Sequence, residues 1–140
     1  MGVGRHMSDN QREALRQNAL AEIALLNTPP EREFDILAKL AQRMLGTGMS
    51  SITLIAPERQ WFKARCGPMA PETARAQAFC PVVVETEAPL TVADARLDPR
   101  FAESPFVTGS PYIRYYAGVP LRVRRPDSGH VTIGTLCVLD

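Results

Sequence analysis

From Ser8 the stretch SDNQREALRQNALAEIALLN lacks glycine and proline and repeats Leu15, Ala19, Ile23 and Leu26 every three or four positions. That period sets them on one face of an amphipathic helix. Ser8 followed by Gln11 is the S-x-x-Q form of a capping box, which starts the helix there; it is expected to stop at about Asn27. The next segment, T-P-P-E, opens a second helix, with Thr28 as N-cap, Pro29 at the first helical position and Glu31 completing another box. Its apolar seam is Phe34, Leu37, Ala41 and Met44, and Gly46 supplies the left-handed residue that ends a helix over 29–45.

The apolar period then shortens. SSITLIA and QWFKAR, separated by Pro57-Glu58-Arg59, predict a β-hairpin, and 66–75 holds turn formers without a period and predicts a loop. Cys80-Pro81 opens a short helix through about Glu87, LTVAD (90–94) is a third strand, and Asp98-Pro99 caps a short helix through about Ser104. SPFVTGSPY follows as a long surface loop. IRYYAGVPLRV and HVTIGTLCVLD then pair as an antiparallel hairpin across RRPDSG, where Asp127, Ser128 and Gly129 suit a turn. Long βαβ units are absent, which gives an α+β fold on an antiparallel sheet of about five strands. MGVGRHM (1–7) is read as a disordered start or a cloning scar, and 8–140 as one domain. The apolar strand that runs up to Asp140 leads to the expectation of a further C-terminal helix and an output domain beyond it.

The 140 residues are 45% apolar and 22% charged, which suits one globular domain with a core of its own. A net charge of +1 makes no long-range field for nucleic acid or anionic lipid, so neither is expected as a partner. Nothing approaches the ~18 consecutive apolar residues of a membrane span, and a signal peptide is not evident, so a cytoplasmic protein is expected. Three widely spaced cysteines and two histidines argue against a disulfide framework, a zinc cluster and histidine catalysis. With no nucleophile–base pair, metal set or phosphate-binding glycine loop, no catalytic residue or metal ligand is assigned.

Cys80 is the sharpest candidate, because a thiol at a helix start has its pKa lowered by the helix dipole; the plain alternative is a small residue packing at a pocket edge. Cys66 lies near a glycine turn and Cys137 alternates within a buried strand, so both carry less weight. Asp94, Arg96, Asp98 and Arg100 alternate in charge; Asp94 and Arg96 are kept as ligand contacts, with capping as the alternative. Tyr112, Tyr115 and Tyr116 with Phe79, Phe101 and Phe106 gather aromatic rings as an apolar pocket would, or as a core would.

Six blocks carry a likeness: LNTPPEREFD (26–35), RQWFKARCG (59–67), AFC (78–80), VADARLDPRFA (92–102), YAGVPL (116–121) and GTLCVLD (134–140). In this order and spacing the chain resembles a GAF domain, of the type at the N-terminus of bacterial sensor histidine kinases and diguanylate cyclases. The resemblance implies a central sheet of order 2-1-5-4-3 with SSITLIA beside HVTIGTLCVLD. It also implies helices on one face and, on the other, a small-molecule pocket roofed by 66–112. Relatives commonly carry a histidine two residues after the block's cysteine, where Val82 stands here, so that contact is lost. Bilin-type, cyclic-nucleotide and haem signatures are not found, and the cofactor stays unassigned. On this basis the ligand-binding residues are expected to be Phe79, Cys80, Asp94, Arg96, Phe101, Tyr115 and Thr135. The implied function is a sensory module, not itself an enzyme. It would bind an unidentified small molecule, pair as a homodimer, and relay ligand or redox state to a C-terminal histidine kinase or diguanylate cyclase. Two alternatives stand beside it: a thiol-dependent reductase of free methionine sulfoxide using Cys80 with Cys66 or Cys137, and a ligand-free dimerisation spacer whose pocket the aromatics fill.

Overall fold

The computed structural model describes residues 8–126 and 129–140; the expectations for 1–7 and for Asp127 and Ser128 lie outside the described residues. The elements are α1 (Asp9–Ile23), α2 (Arg32–Leu45), β1 (Met49–Ile55), β2 (Arg59–Cys66), β3 (Glu72–Ala74), α3 (Cys80–Thr86) and β4 (Leu90–Val92). A 3-10 turn (Ala95–Leu97), α4 (Pro105–Thr108), β5 (Tyr116–Arg125) and β6 (Gly129–Leu139) complete them. The strands form one antiparallel sheet of order β3-β2-β1-β6-β5-β4. That is the expected order with one edge strand added. The addition, Glu72–Ala74, pairs with Arg59–Trp61 inside the stretch predicted as a loop; three residues are too few to show a period.

β1 and β6 lie at the centre, and all seven residues of β1 are buried. The two strands approach so closely at Gly134 that a Cβ there would strike the Thr53 carbonyl oxygen, which leaves glycine the only fit. Two bulges set which residues face which layer. The β1–β2 register skips Lys63, and the β5–β6 register skips Ile133. Val131 and Ile133 therefore pack with Ala19 and Leu20 under α1, whereas Cys137 and Leu139 join Phe79, Cys80 and Tyr116 on the opposite face.

α1 begins with the expected box: Gln11 N–H donates to Ser8 Oγ (3.2 Å) and Ser8 N–H to Gln11 Oε1 (2.9 Å). It ends at Ile23, sooner than Asn27, where Ala24 turns left-handed. α2 starts at Arg32, later than the expected residue 29, and has no side-chain cap. The groups that would have capped it serve Lys63 instead. Its buried ammonium donates to Thr28 Oγ1 (2.6 Å) and the Pro29 carbonyl (2.8 Å) and pairs with Glu31 (2.5 Å), which keeps 28–31 extended across β2. The C-terminus of α2 does close on left-handed Gly46.

The buried line of α2 is centred on Ala38, which is wholly buried against Ile52 and Ala64, with Phe34 beside it. Leu37 and Met44, expected in the seam, point outward at 50% and 75% exposure, alongside Ile36, Leu40 and Leu45. An alanine at the contact lets the helix approach the sheet closely, and its larger neighbours are thereby turned away. Residues 98–103 form turns rather than the expected helix, with Asp98 accepting from the Arg100 N–H (2.9 Å). The helix comes later, as α4 inside the expected surface loop, because Ser104–Pro105 repeats the cap-plus-proline signal and Val107 has a core to enter.

Replacing Lys63 by Met removes the cation from the Pro29 carbonyl and leaves the Thr28 hydroxyl only its bond to the Leu25 carbonyl. It is expected to cost roughly 2–3 kcal/mol in urea unfolding, and an unchanged midpoint would show that the clamp holds nothing.

Candidate functional site

On the face of the sheet away from α1 and α2 lies a cavity of about 230 Å³, near the small end of ligand pockets. Its floor includes Met49 and Ser51 of β1, Gln60 and Phe62 of β2, Tyr116 of β5, and Cys137 and Leu139 of β6. The roof comes from the loop after β2, from Phe79 and Cys80 at the foot of α3, and from Phe106 and the segment at Pro111–Ile113. Among the described residues that line it, none is charged. Gln60 is 93% buried, as its 7% exposure implies, and its Oε1 has no hydrogen-bond partner among the described residues.

Cys80 Sγ sits where roof meets floor. It accepts from the Tyr116 hydroxyl (3.2 Å) and the Thr135 hydroxyl (3.1 Å) and lies 3.7 Å from Cys137 Sγ. Ser51 Oγ stands 3.1 Å from Cys137 Sγ and 2.8 Å from Thr53 Oγ1, so the sulfurs and hydroxyls form one buried cluster. Backbone geometry aims Tyr116: a Cβ at Gly118 would strike its ring, so only glycine lets the phenol lie along the sheet toward Cys80. The ring stacks on Phe79 at 4.9 Å, and Phe79 in turn rests on Phe101 at 4.3 Å.

Burial pushes the Cys80 thiol up, but hydrogen bonds from Cys137, Thr135, Tyr116 and Thr53 outweigh it and bring it down to about 7. The lowering comes from these side-chain hydrogen bonds. Cys137 is held well above the ordinary thiol value by its hydrogen bond to Cys80 and then by burial. Tyr116 is raised likewise, first by burial and then by the charge of the two sulfurs. Two thiols in contact thus divide the work: Cys80 gives up its proton, and Cys137 keeps its own.

Of the expected ligand contacts, Phe79 and Cys80 line the cavity, and Thr135, fully buried, bonds Cys80. Phe101 packs behind Phe79 without lining the cavity. Asp94 and Arg96 also lie outside it and engage each other through two charge-assisted hydrogen bonds (2.8 and 3.0 Å), which hold the Asp94 carboxyl below its usual range. Tyr115 pairs its backbone with Asp140, while its neighbour Tyr116 faces inward. Sequence reasoning named Cys137 only as a lesser candidate and one possible partner of Cys80, named Tyr116 only for its ring, and passed over Gln60. Strand period offered a signal: Thr135 and Phe62 imply Cys137 and Gln60 two positions away on the same face.

The GAF domain family matches residues 29–140. A cyclic di-GMP phosphodiesterase of Pseudomonas aeruginosa is 34% identical over 125 residues, which are 89% of this chain and 21% of that protein. The chain therefore spans about a fifth of the length of this curated relative. Among solved structures, the GAF domain of an Acinetobacter phosphoenolpyruvate-protein phosphotransferase superposes with a TM-score of 0.60 at 18% identity, over 96% of this chain and 78% of that one. The free methionine-R-sulfoxide reductase of Neisseria meningitidis gives 0.60 at 13% identity, over 100% and 79%. At these identities the two structures share the fold.

Thr135→Val keeps the shape and removes one donor to the thiolate. Alkylation of Cys80 by iodoacetamide is expected to rise with pH through a half-point near 7 in the parent. In the variant the half-point moves up by about one pH unit, the worth of one hydrogen bond to a charged group. Equal half-points would mean that Thr135 does not stabilise the thiolate.

Proposed function

The chain belongs to the GAF domain family, and on that footing we propose that it is the sensory, ligand-binding module of a longer signal-transduction protein. The mostly apolar cavity, lined by no Asp, Glu, Lys or Arg among the described residues, carries this conclusion. An anionic ligand entering it would shed its hydration and meet no counter-charge, and the single charge the lining can carry is the Cys80 thiolate, so the fitting ligand is small and without a negative charge, with apolar surface and a polar atom for Gln60. A zwitterion such as free methionine sulfoxide has a carboxylate to satisfy and finds no positively charged lining residue, which weighs against the reductase reading despite the shared fold. The open volume weighs against a spacer whose aromatics fill the pocket.

A ligand can act here only by binding one packing of roof, sheet and helices better than another. The output we propose is cyclic di-GMP turnover, supported by the phosphodiesterase relative; of the two outputs the sequence resemblance implied, the diguanylate cyclase shares that chemistry and the histidine kinase does not. The module itself is regulatory, and catalysis belongs to that output. For the homodimer, the exposed stripe of Ile36, Leu37, Leu40 and Met44 offers a self-complementary face. Two α2 helices crossing antiparallel about Leu40 would bring Asp35 of each copy toward Arg43 of the other. Among the described residues no helix is long and apolar enough to cross a membrane. A cytoplasmic setting without nucleic-acid or membrane contact is part of the same proposal.

Phenol, a neutral ring with one hydroxyl, serves as probe. At tenfold excess over its Kd it is expected to raise the melting temperature by about 5 °C, while methionine sulfoxide and cyclic di-GMP at equal concentration leave it unchanged. Stabilisation by the charged compounds and not by phenol would overturn the assignment.

A further inference from the structure

The cavity, the apolar stripe of α2, the surface ion pairs and the buried thiols each invite a question, and the thiols go furthest. Cys80 and Cys137 are separated by 57 positions in sequence, yet their sulfurs touch at 3.7 Å and both line the cavity. Hydroxyl groups surround the pair: Tyr116 and Thr135 on Cys80, Ser51 on Cys137. Packing alone does not call for two thiols in contact, ringed by hydroxyls, at the wall of an otherwise apolar cavity. Cys66, by contrast, is half-buried and lines a different groove.

We propose that Cys80 and Cys137 form a two-electron thiol–disulfide switch, driven by a small, uncharged organic hydroperoxide that occupies the same cavity. The inference deepens the sensory assignment, since it supplies the chemistry by which that site is regulated. The Cys80 thiolate attacks the outer oxygen of R–O–OH; an S–O bond forms as the O–O bond breaks, and the alkoxide takes up the proton that Cys80 released, leaving as R–OH. Cys80 is then a sulfenic acid. The Cys137 sulfur attacks it, the S–S bond forms as the S–O bond breaks, and hydroxide leaves with the Cys137 proton as water. Two thiols are oxidised by two electrons, and one peroxide is reduced to an alcohol and water. An external dithiol reverses the step by thiol exchange.

The lining selects the oxidant. With no Asp, Glu, Lys or Arg in the lining and with Met49, Phe62, Phe79 and Leu139 around the thiols, an apolar R group gains by entering, whereas hydrogen peroxide has none to bury. The bond also has a mechanical consequence. It draws the first residue of α3 onto β6 and loosens the hydrogen bonds that Tyr116 and Thr135 make to Cys80.

The test treats the reduced chain with one equivalent of cumene hydroperoxide and maps the cysteines by mass spectrometry. Expected is a Cys80–Cys137 peptide link, reversed by dithiothreitol, that forms at least about tenfold faster than with hydrogen peroxide. Burying a phenyl group exceeds the ~1.4 kcal/mol which that factor needs. Cys66→Ser should leave both rates unchanged, and Cys137→Ser should leave Cys80 as a sulfenic acid that dimedone traps. A chain whose thiols survive, or whose link runs through Cys66, overturns the switch; equal rates for the two peroxides overturn the organic hydroperoxide as its oxidant. Because the wild-type link is read directly, a Cys137→Ser chain that fails to fold does not blunt the test. Stabilisation by phenol without any disulfide would sink the switch and leave the sensory assignment standing.

Discussion

Hydroxyl and thiol groups in the middle of a sheet must find partners once water is shut out, and the centre of this sheet is full of them. Ser50, Ser51, Thr53, Thr132 and Thr135 all have 0% exposure. Ser50 donates to the Ala38 carbonyl of α2 (2.5 Å), on one side of the sheet. Ser51 and Thr135, on the other, satisfy the two sulfurs that join β6 to α3. Adjacent residues of β1 thereby tie one helix layer to the sheet and the roof layer to the same strand. An unpaired group in that interior would cost about 1–3 kcal/mol, so the positions of α2 and α3 are each bound to the register of β1 against β6.

That arrangement gives the cavity a route outward. On the proposed function, a molecule seated against Cys80 would press on a cluster whose other end is Ser51, one residue from the hydroxyl that holds α2. Polar networks of this kind are satisfied in one geometry and costly in others, which suits a module with two states better than a continuously yielding one. Gly134 and Gly118 belong to the same design. The first allows β1 and β6 to come close, and the second lets Tyr116 lie down toward the thiol.

How much of this could be read from the chain depended on how local each signal was. The Ser8 box, the Gly46 terminus and both hairpins rest on neighbouring residues or on strand-length apolar runs, and they stand in the structure as expected, as does the central pairing of β1 with β6 that the family resemblance implied. The start of α2 did not, because its cap groups are claimed by Lys63, more than thirty positions away. Cys137 looked like one more residue in an alternating strand. The bulge at Ile133 splits the uniform row Val131, Ile133, Thr135, Cys137 and Leu139 between two faces, and only its second half reaches the cavity side. Asp94 and Arg96 promised a charged handle for a ligand, yet two residues apart they answer each other first.

The coupling across β1 is the claim on which the regulatory account rests. A double-mutant cycle in urea unfolding, between Ser50→Ala on the α2 side and Thr135→Val on the cavity side, measures it directly. A coupling energy of about 1 kcal/mol is expected if the two layers share one network. Effects that add to within about 0.3 kcal/mol would contradict it and leave the cavity without a path to the helices.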